Sequence, residues 1–211
     1  MPVDSLKPRK TPRQARAAAT VAAIFEATFQ VLRSDGFVSL TTTRVAERAD
    51  VSVGTMYQYF PHKHALLYAV LEQYLQDVVL AMEEACARFA GTPLAEMSDG
   101  LVNAYLAAKL RHLPGSRVLY VVAAELETAS LVDDVTQRVD RALRQLLETV
   151  PGVAFEQLDQ VTVGLRALLV GTVRAVIEDD GSPAAIAMVR EQLPVMCRAY
   201  LLASSTGLGL A

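Results

Sequence analysis

The 211-residue sequence predicts an all-α fold of about nine helices, and three observations point to it. Apolar residues recur at spacings of three and four along most of the chain, the period of a helix buried on one face. Clusters of Gly, Pro and small polar residues interrupt that pattern at Asp35-Gly36, Gly91-Thr92-Pro93, Leu113-Pro114-Gly115, Val150-Pro151-Gly152 and from Glu178 to Pro183. No stretch of note alternates apolar and polar residues as a half-buried strand would, and there is no internal repeat.

Residues 1–12 hold three prolines together with Lys7, Arg9 and Lys10, a composition that predicts a disordered basic arm. The arm either follows DNA phosphates or only keeps the chain soluble. A helix from Arg13 to Ser34 sets Val21, Ile24, Phe25, Thr28 and Leu32 on one face, and Gly36 ends it as a left-handed cap. Thr41 then caps a short helix, Thr42 to Ala49, that turns Val45 and Ala49 inward. Asp50-Val51-Ser52 makes a turn, and Ser52 caps a second short helix from Val53 to Tyr59.

On the helical period, Met56 and Phe60, with Val53, anchor this second short helix. Gly54, Thr55, Gln58 and Tyr59 lie opposite, with Tyr57 at the flank. The outward face carries no acid. It offers a hydroxyl, an amide, two phenols and a glycine that permits close approach, which suits an element laid in a DNA major groove.

Pro61 stops that helix. Longer ones are expected from Lys63 to Ala90, Leu94 to His112, Arg117 to Thr128 (capped by Ser116), Leu131 to Thr149, Val153 to Ile177 and Ala184 to Ala203. A flexible tail occupies residues 205–211.

The run Leu40-Thr41-Thr42-Thr43-Arg44-Val45-Ala46-Glu47-Arg48-Ala49, then Val51-Ser52-Val53-Gly54-Thr55-Met56-Tyr57-Gln58-Tyr59-Phe60-Pro61, then Lys63 and Ala65-Leu66-Leu67, resembles the DNA-binding domain of TetR-family transcriptional regulators. The likeness extends back through residues 13–37 and covers about the first third of the chain. Asp50 stands where such proteins usually have Gly, and His64 where they usually have an acid.

The resemblance implies a helix-turn-helix domain at 13–62 and a helical effector-binding and dimerisation domain at 63–204. It implies a homodimer on double-stranded operator DNA and a small-molecule effector, with repression as the usual outcome. Gly54, Thr55 and Gln58 lie nearest the base edges. Thr42, Arg44, Ser52, Tyr57, Tyr59 and Lys63 match positions that hold phosphates or flank the groove.

Composition is compatible with this reading. Residues 1–70 hold 9 Lys/Arg against 5 Asp/Glu, and residues 71–211 hold 11 against 18, so a basic part precedes an acidic one. Hydrophobic residues make up 52% of the chain and mean hydropathy is +0.27, which predicts extensive buried helix faces or an oligomer interface. The most apolar stretch, Val161 to Ile177, is broken by Arg166 and Arg174, so no membrane span is expected. The N-terminus is polar and basic rather than a secretory signal. Cys86 and Cys197 are far apart and read as reduced core thiols of a cytoplasmic protein.

An enzyme is not expected. The sequence has no nucleophile elbow, phosphate loop or paired metal-ligand motif, and no cofactor or metal is implied. The alternative outside transcription is a helical small-molecule-binding protein or enzyme without DNA binding, and the intact Gly54-to-Tyr59 face argues against it.

By resemblance, an effector pocket lies between residues 80 and 175. Glu125 shares a face with Val118, Val121 and Val122, and a carboxylate there either meets a cationic ligand or pairs internally with Arg166 or Arg117. Tyr105, His112 and Tyr120 are pocket or core residues on the same footing. Gly164, Ala167, Gly171 and Ala175 make a stripe of small residues on one helix face, and Val189, Leu193 and Met196 lie on the last helix. Together they suggest either a four-helix interface between two chains or a core contact within one; dimerisation through the last two helices, which the resemblance implies, favours the interface.

Overall fold

In the computed structural model, the described residues are 15–111, 119–120, 122–123, 126, 128–179 and 181–206. The basic arm at 1–12, His112, Glu125 and tail residues 207–211 lie outside them. The described residues form eight helices: α1 (Ala15–Ser39), α2 (Thr42–Arg48), α3 (Val53–Tyr59), α4 (Lys63–Phe89), α5 (Leu94–Leu110), α6 (Ala129–Leu147), α7 (Leu158–Asp179) and α8 (Pro183–Ser204). Of the helix expected from Arg117 to Thr128, Leu119, Tyr120, Val122 and Ala123 are helical and most of the rest is outside the described residues.

The chain divides into two compact units, Met1–Leu75 with His112–Leu131, and Gln76–Arg111 with Val132–Ala211. In the first unit, α2 packs on α1 and on α3. Its core holds Ile24, Val31, Leu40, Val45, Ala46, Met56 and Phe60, each at most 1% exposed. In the second unit, α8 packs along α7 and α5. Ser182 caps α8 by accepting the Ala185 N–H at 3.2 Å, and Pro183 opens the helix where its missing N–H costs nothing.

Two boundaries differ from the sequence reading. Helix α1 runs to Ser39, but Gly36 breaks it with φ 76° and ψ 175°, an extended mirror conformation rather than a left-handed cap. Helix α7 begins at Leu158, not Val153, because Ala154 exchanges both backbone hydrogen bonds with Thr206, at 2.9 and 2.8 Å. The same pair ties down the start of the tail that was expected to be flexible.

Helices α4 and α7 are long and apolar enough to cross a membrane by length and composition alone. The apolar window of α4 is 61% buried, as a core helix should be, whereas that of α7 is only 33% buried. Among the described residues, helix α7 therefore presents an apolar face that is largely exposed. Two charged residues fall inside each apolar window, Glu72 and Asp77 in α4 and Arg166 and Arg174 in α7, so neither is an uncharged run.

Candidate nucleic-acid interface

Local capping shapes the α2–turn–α3 element. Thr41 Oγ1 accepts the Arg44 N–H at 3.2 Å, and Ser52 Oγ accepts the Thr55 N–H at 3.0 Å, so each short helix has an exposed N-terminal donor satisfied. Helix α2 ends in a Schellman turn. The Asp50 N–H reaches the Glu47 carbonyl at 3.3 Å and the Val51 N–H reaches the Ala46 carbonyl at 3.0 Å. Asp50 occupies the left-handed position of that turn at φ 54°, which glycine adopts freely and aspartate tolerates.

Packing then decides which face of α3 looks out. Met56 and Phe60 are buried as expected, but Val53 is 40% exposed and Tyr59 only 8%. The Tyr59 ring lies 6.3 Å from that of Phe60. Tyr59 is thus part of the core, and Val53 joins the outer face, reversing the expected roles of the two. The exposed residues of α3 and its cap are Ser52, Val53, Gly54, Tyr57 and Gln58, with Thr55 half-buried and its hydroxyl 2.8 Å from Ser52 Oγ. On α2, Thr42 is buried at 8%, and Ala46 rather than Ala49 is the residue sealed beside Val45.

The two predicted cations have intramolecular partners. Arg44 donates to the Ser39 carbonyl at 3.1 Å and lies 3.6 Å from Asp35. Lys63 Nζ donates to the Phe37 carbonyl at 2.7 Å and sits 4.1 Å from the Phe37 ring centroid, tying the start of α4 to the end of α1. The sequence reading passed over one exposed cation. Arg48, one turn after Arg44 on α2, is exposed; the i, i+4 arginine spacing is the signal that could have found it. His62 caps α4, its Nδ1 accepting the Ala65 N–H at 3.1 Å.

Gly54 has room for a methyl group, since an added Cβ would meet only Ser52 Oγ at 3.7 Å. Gly54→Ala is expected to leave the thermal midpoint unchanged or raised, because alanine is the better helix former. If this surface meets a groove, DNA affinity falls about tenfold or more on the same substitution, because the methyl group blocks close approach. Unfolding and DNA titration of one preparation separate the two effects.

Of the residues expected to line an effector pocket, His112 and Glu125 lie outside the described residues. Tyr105 is buried and Tyr120 half-buried, in different units. Arg166 donates to Asp140 of α6 at 2.6 Å. A cleft of about 470 Å³ instead opens between the second half of α4 and α6, lined by Cys86, Ala90, Arg141, Gln145 and Leu146 among others. Beside it Arg138 grips Glu83 through two bonds of 3.0 and 2.7 Å, and this pairing holds the Arg138 guanidinium above its ordinary range. Burial, reinforced by the charge of Glu83, pushes the Cys86 thiol up to about 12, so it is unreactive at neutral pH.

The small-residue stripe of α7 splits in two. Gly164 lies against Tyr200 of α8, where a Cβ would overlap the tyrosine ring. Ala167, Gly171 and Ala175 are exposed, as are Val163 at 49% and Val170 at 38%. On α8, Val189 and Leu193 are sealed inside the chain, while Met188, Val195, Met196 and Leu202 are 39–51% exposed. The outer faces of the last two helices are therefore apolar along much of their length.

Comparison with known proteins gives this arrangement its family. Residues 24–70 match the bacterial regulatory proteins of the tetR family, and residues 93–201, just over half of the chain, match the tetracyclin repressor-like C-terminal domain. The HTH-type transcriptional repressor KstR of Mycobacterium tuberculosis is 31% identical over 119 residues, 56% of this chain and 53% of that protein. KstR of Rhodococcus jostii is 29% identical over 132 residues, 61% of this chain and 60% of its own. The chain thus spans 36–60% of the length of the curated relatives it matches. A TetR-family structure from Mesorhizobium loti shares the fold with a TM-score of 0.71 at 15% identity, covering 90% of this chain and 96% of that one. From the capped helix pair at its N-terminal end to the helical bundle that follows, the chain belongs to the TetR family of bacterial regulatory proteins.

Proposed function

We propose that the protein is a cytoplasmic, ligand-responsive transcriptional repressor that binds a pseudo-palindromic operator as a homodimer. A small, largely apolar effector releases it. The observation that carries this reading is the outward face of α3. Gly54, Tyr57 and Gln58 project from a helix whose ends are capped and whose inner side is locked by Met56, Tyr59 and Phe60. Gln58 pairs with adenine and Gly54 lets the backbone approach. Arg44, Arg48, Ser52 and Lys63 meet phosphates. Two such helices then occupy successive major grooves about 34 Å apart. An effector shifts the equilibrium only by its difference in affinity for the two states.

The test is a gel shift with the DNA upstream of the protein's own gene against scrambled competitor at moderate salt. A discrete complex that resists competition is expected, and Gln58→Ala is expected to relax its sequence preference. No complex at low salt with any DNA would remove the reading.

Dimerisation is assigned to the exposed apolar residues of α7 and α8. Val170→Glu is expected to weaken self-association about a hundredfold or more, since it buries an unpaired carboxylate in the interface. Sedimentation equilibrium measures this. A variant as dimeric as the wild type moves the interface elsewhere.

A further inference from the structure

Helix α3 has one outward side chain with no polar atom. The exposed residues of the helix and its cap are Ser52, Val53, Gly54, Tyr57 and Gln58. The serine, tyrosine and glutamine each carry a donor or acceptor, and Gly54 has no side chain. Val53 is wholly apolar, yet it is 40% exposed. Local folding does not require it there. Ser52 caps the helix through the Thr55 N–H, and Met56, Tyr59 and Phe60 hold its inner side. A β-branched residue is also a poorer helix former than alanine. The Tyr57 ring, one turn on along the same side, is 46% exposed, so the two side chains make an apolar strip beside Gly54.

Major-groove chemistry narrows what such a strip can meet. Base edges there present nitrogen and oxygen donors and acceptors, with one exception, the methyl group at C5 of a pyrimidine. An apolar side chain pressed on an amine or a carbonyl strips water from it and returns no hydrogen bond. Pressed on the methyl group, it removes apolar surface from water on both partners. Gly54 keeps the approach open. A Cβ on it would meet only Ser52 Oγ at 3.7 Å, so internal packing does not demand a glycine, and its bare backbone brings the adjoining Val53 close to whatever the helix faces.

We propose that Val53 is a specificity-determining residue that reads a C5 methyl group in each operator half-site. Thymine and 5-methylcytosine both carry that group, and the methyl is the chemistry they share. The assignment rests on the reading that α3 lies in the major groove. It adds an apolar contact at one edge of the outward face to the hydrogen bonds of Gln58 at the other.

For the test, the full chain selects its own sites from random-sequence duplexes. Each thymine of the selected half-site is then replaced by deoxyuridine, which removes only the methyl group, and each cytosine by 5-methylcytosine, which only adds one. At one position per half-site the wild type is expected to change affinity about three- to fivefold in favour of the methylated base. A loss on removing a thymine methyl names thymine, and a gain on methylating a cytosine names 5-methylcytosine. In Val53→Ala the ratio at that position is expected to fall to about one, and Val53→Ile is expected to retain it. A wild type indifferent to every such change, or a sensitivity that Val53→Ala keeps in full, overturns the assignment and leaves the operator reading standing. A chain that selects no sequence overturns both.

Discussion

Phe60→Ala is expected to destabilise the N-terminal unit by about 3–5 kcal/mol, a large fraction of what holds a small domain together. Phe60 is 1% exposed and its ring lies 5.8 Å from Phe25 of α1 and 6.3 Å from Tyr59. Its N–H caps α3 through the Met56 carbonyl at 2.8 Å. One side chain therefore joins α1 to α3 at the point where α3 ends and Pro61 redirects the chain. Truncation leaves a cavity that α1 and α3 would have to move together to fill. Phe60→Leu keeps most of the volume and is expected to cost less than about 1.5 kcal/mol. Urea unfolding followed by tyrosine fluorescence measures both variants. A Phe60→Ala loss below about 1 kcal/mol would mean that the helices collapse onto the gap and that Phe60 is not the joint described above.

Lys109 gives the second large effect, and it has a pH signature. The folded amine titrates near 8 against an ordinary 10.5, so the unfolded chain binds more protons between those values. Stability therefore rises with pH across that window, by an amount on the order of 3 kcal/mol, and the full penalty is present below about pH 8. The two thiols act in the opposite sense. Burial lifts Cys86 and Cys197 to about 12 from 9.0, so the native state retains protons longer and stability declines above pH 9.0. Comparing wild type with Lys109→Met at fixed protomer concentration cancels the thiol contribution. The variant is expected to be the more stable by a few kcal/mol near pH 7, with the gap closing toward pH 10.5. A gap that stays constant with pH would show that the Lys109 amine titrates alike in the folded and unfolded chain.

Much of the DNA-binding end is legible in the residues because its determinants are local. Thr41 and Ser52 cap the helices that follow them within three residues, and Asp50 takes the turn that a short polar side chain tolerates. The order of helices beyond Lys63 follows from Gly and Pro breaks in the same way. The α7 boundary was not legible, because Thr206 holds Ala154 out of the helix from 52 residues away. The direction of α3 was half legible. Periodicity places Met56 and Phe60 together, but Val53 and Tyr59 lie on the margins of the stripe, and contact with Phe60 buries the larger ring.

Burial within the C-terminal helices was the least visible feature from sequence. A lysine in the last turn of a helix reads as a solvent-exposed partner of the helix dipole, and only its neighbours in space reveal Lys109 to be buried. Gly164 is a similar case: the sequence marks a small residue on a stripe, and only the fold shows Tyr200 against it.

The sequence by itself determined the helical class, the capped helix-turn-helix and the family, since all three depend on period, caps and motif register within a few residues. The tertiary structure alone decided that Tyr59 faces in, that Lys109 is buried, and that Val163 and Val170 are exposed. Those outcomes depend on which distant side chains fill the same volume, and close packing lets only one of the competing side chains occupy it.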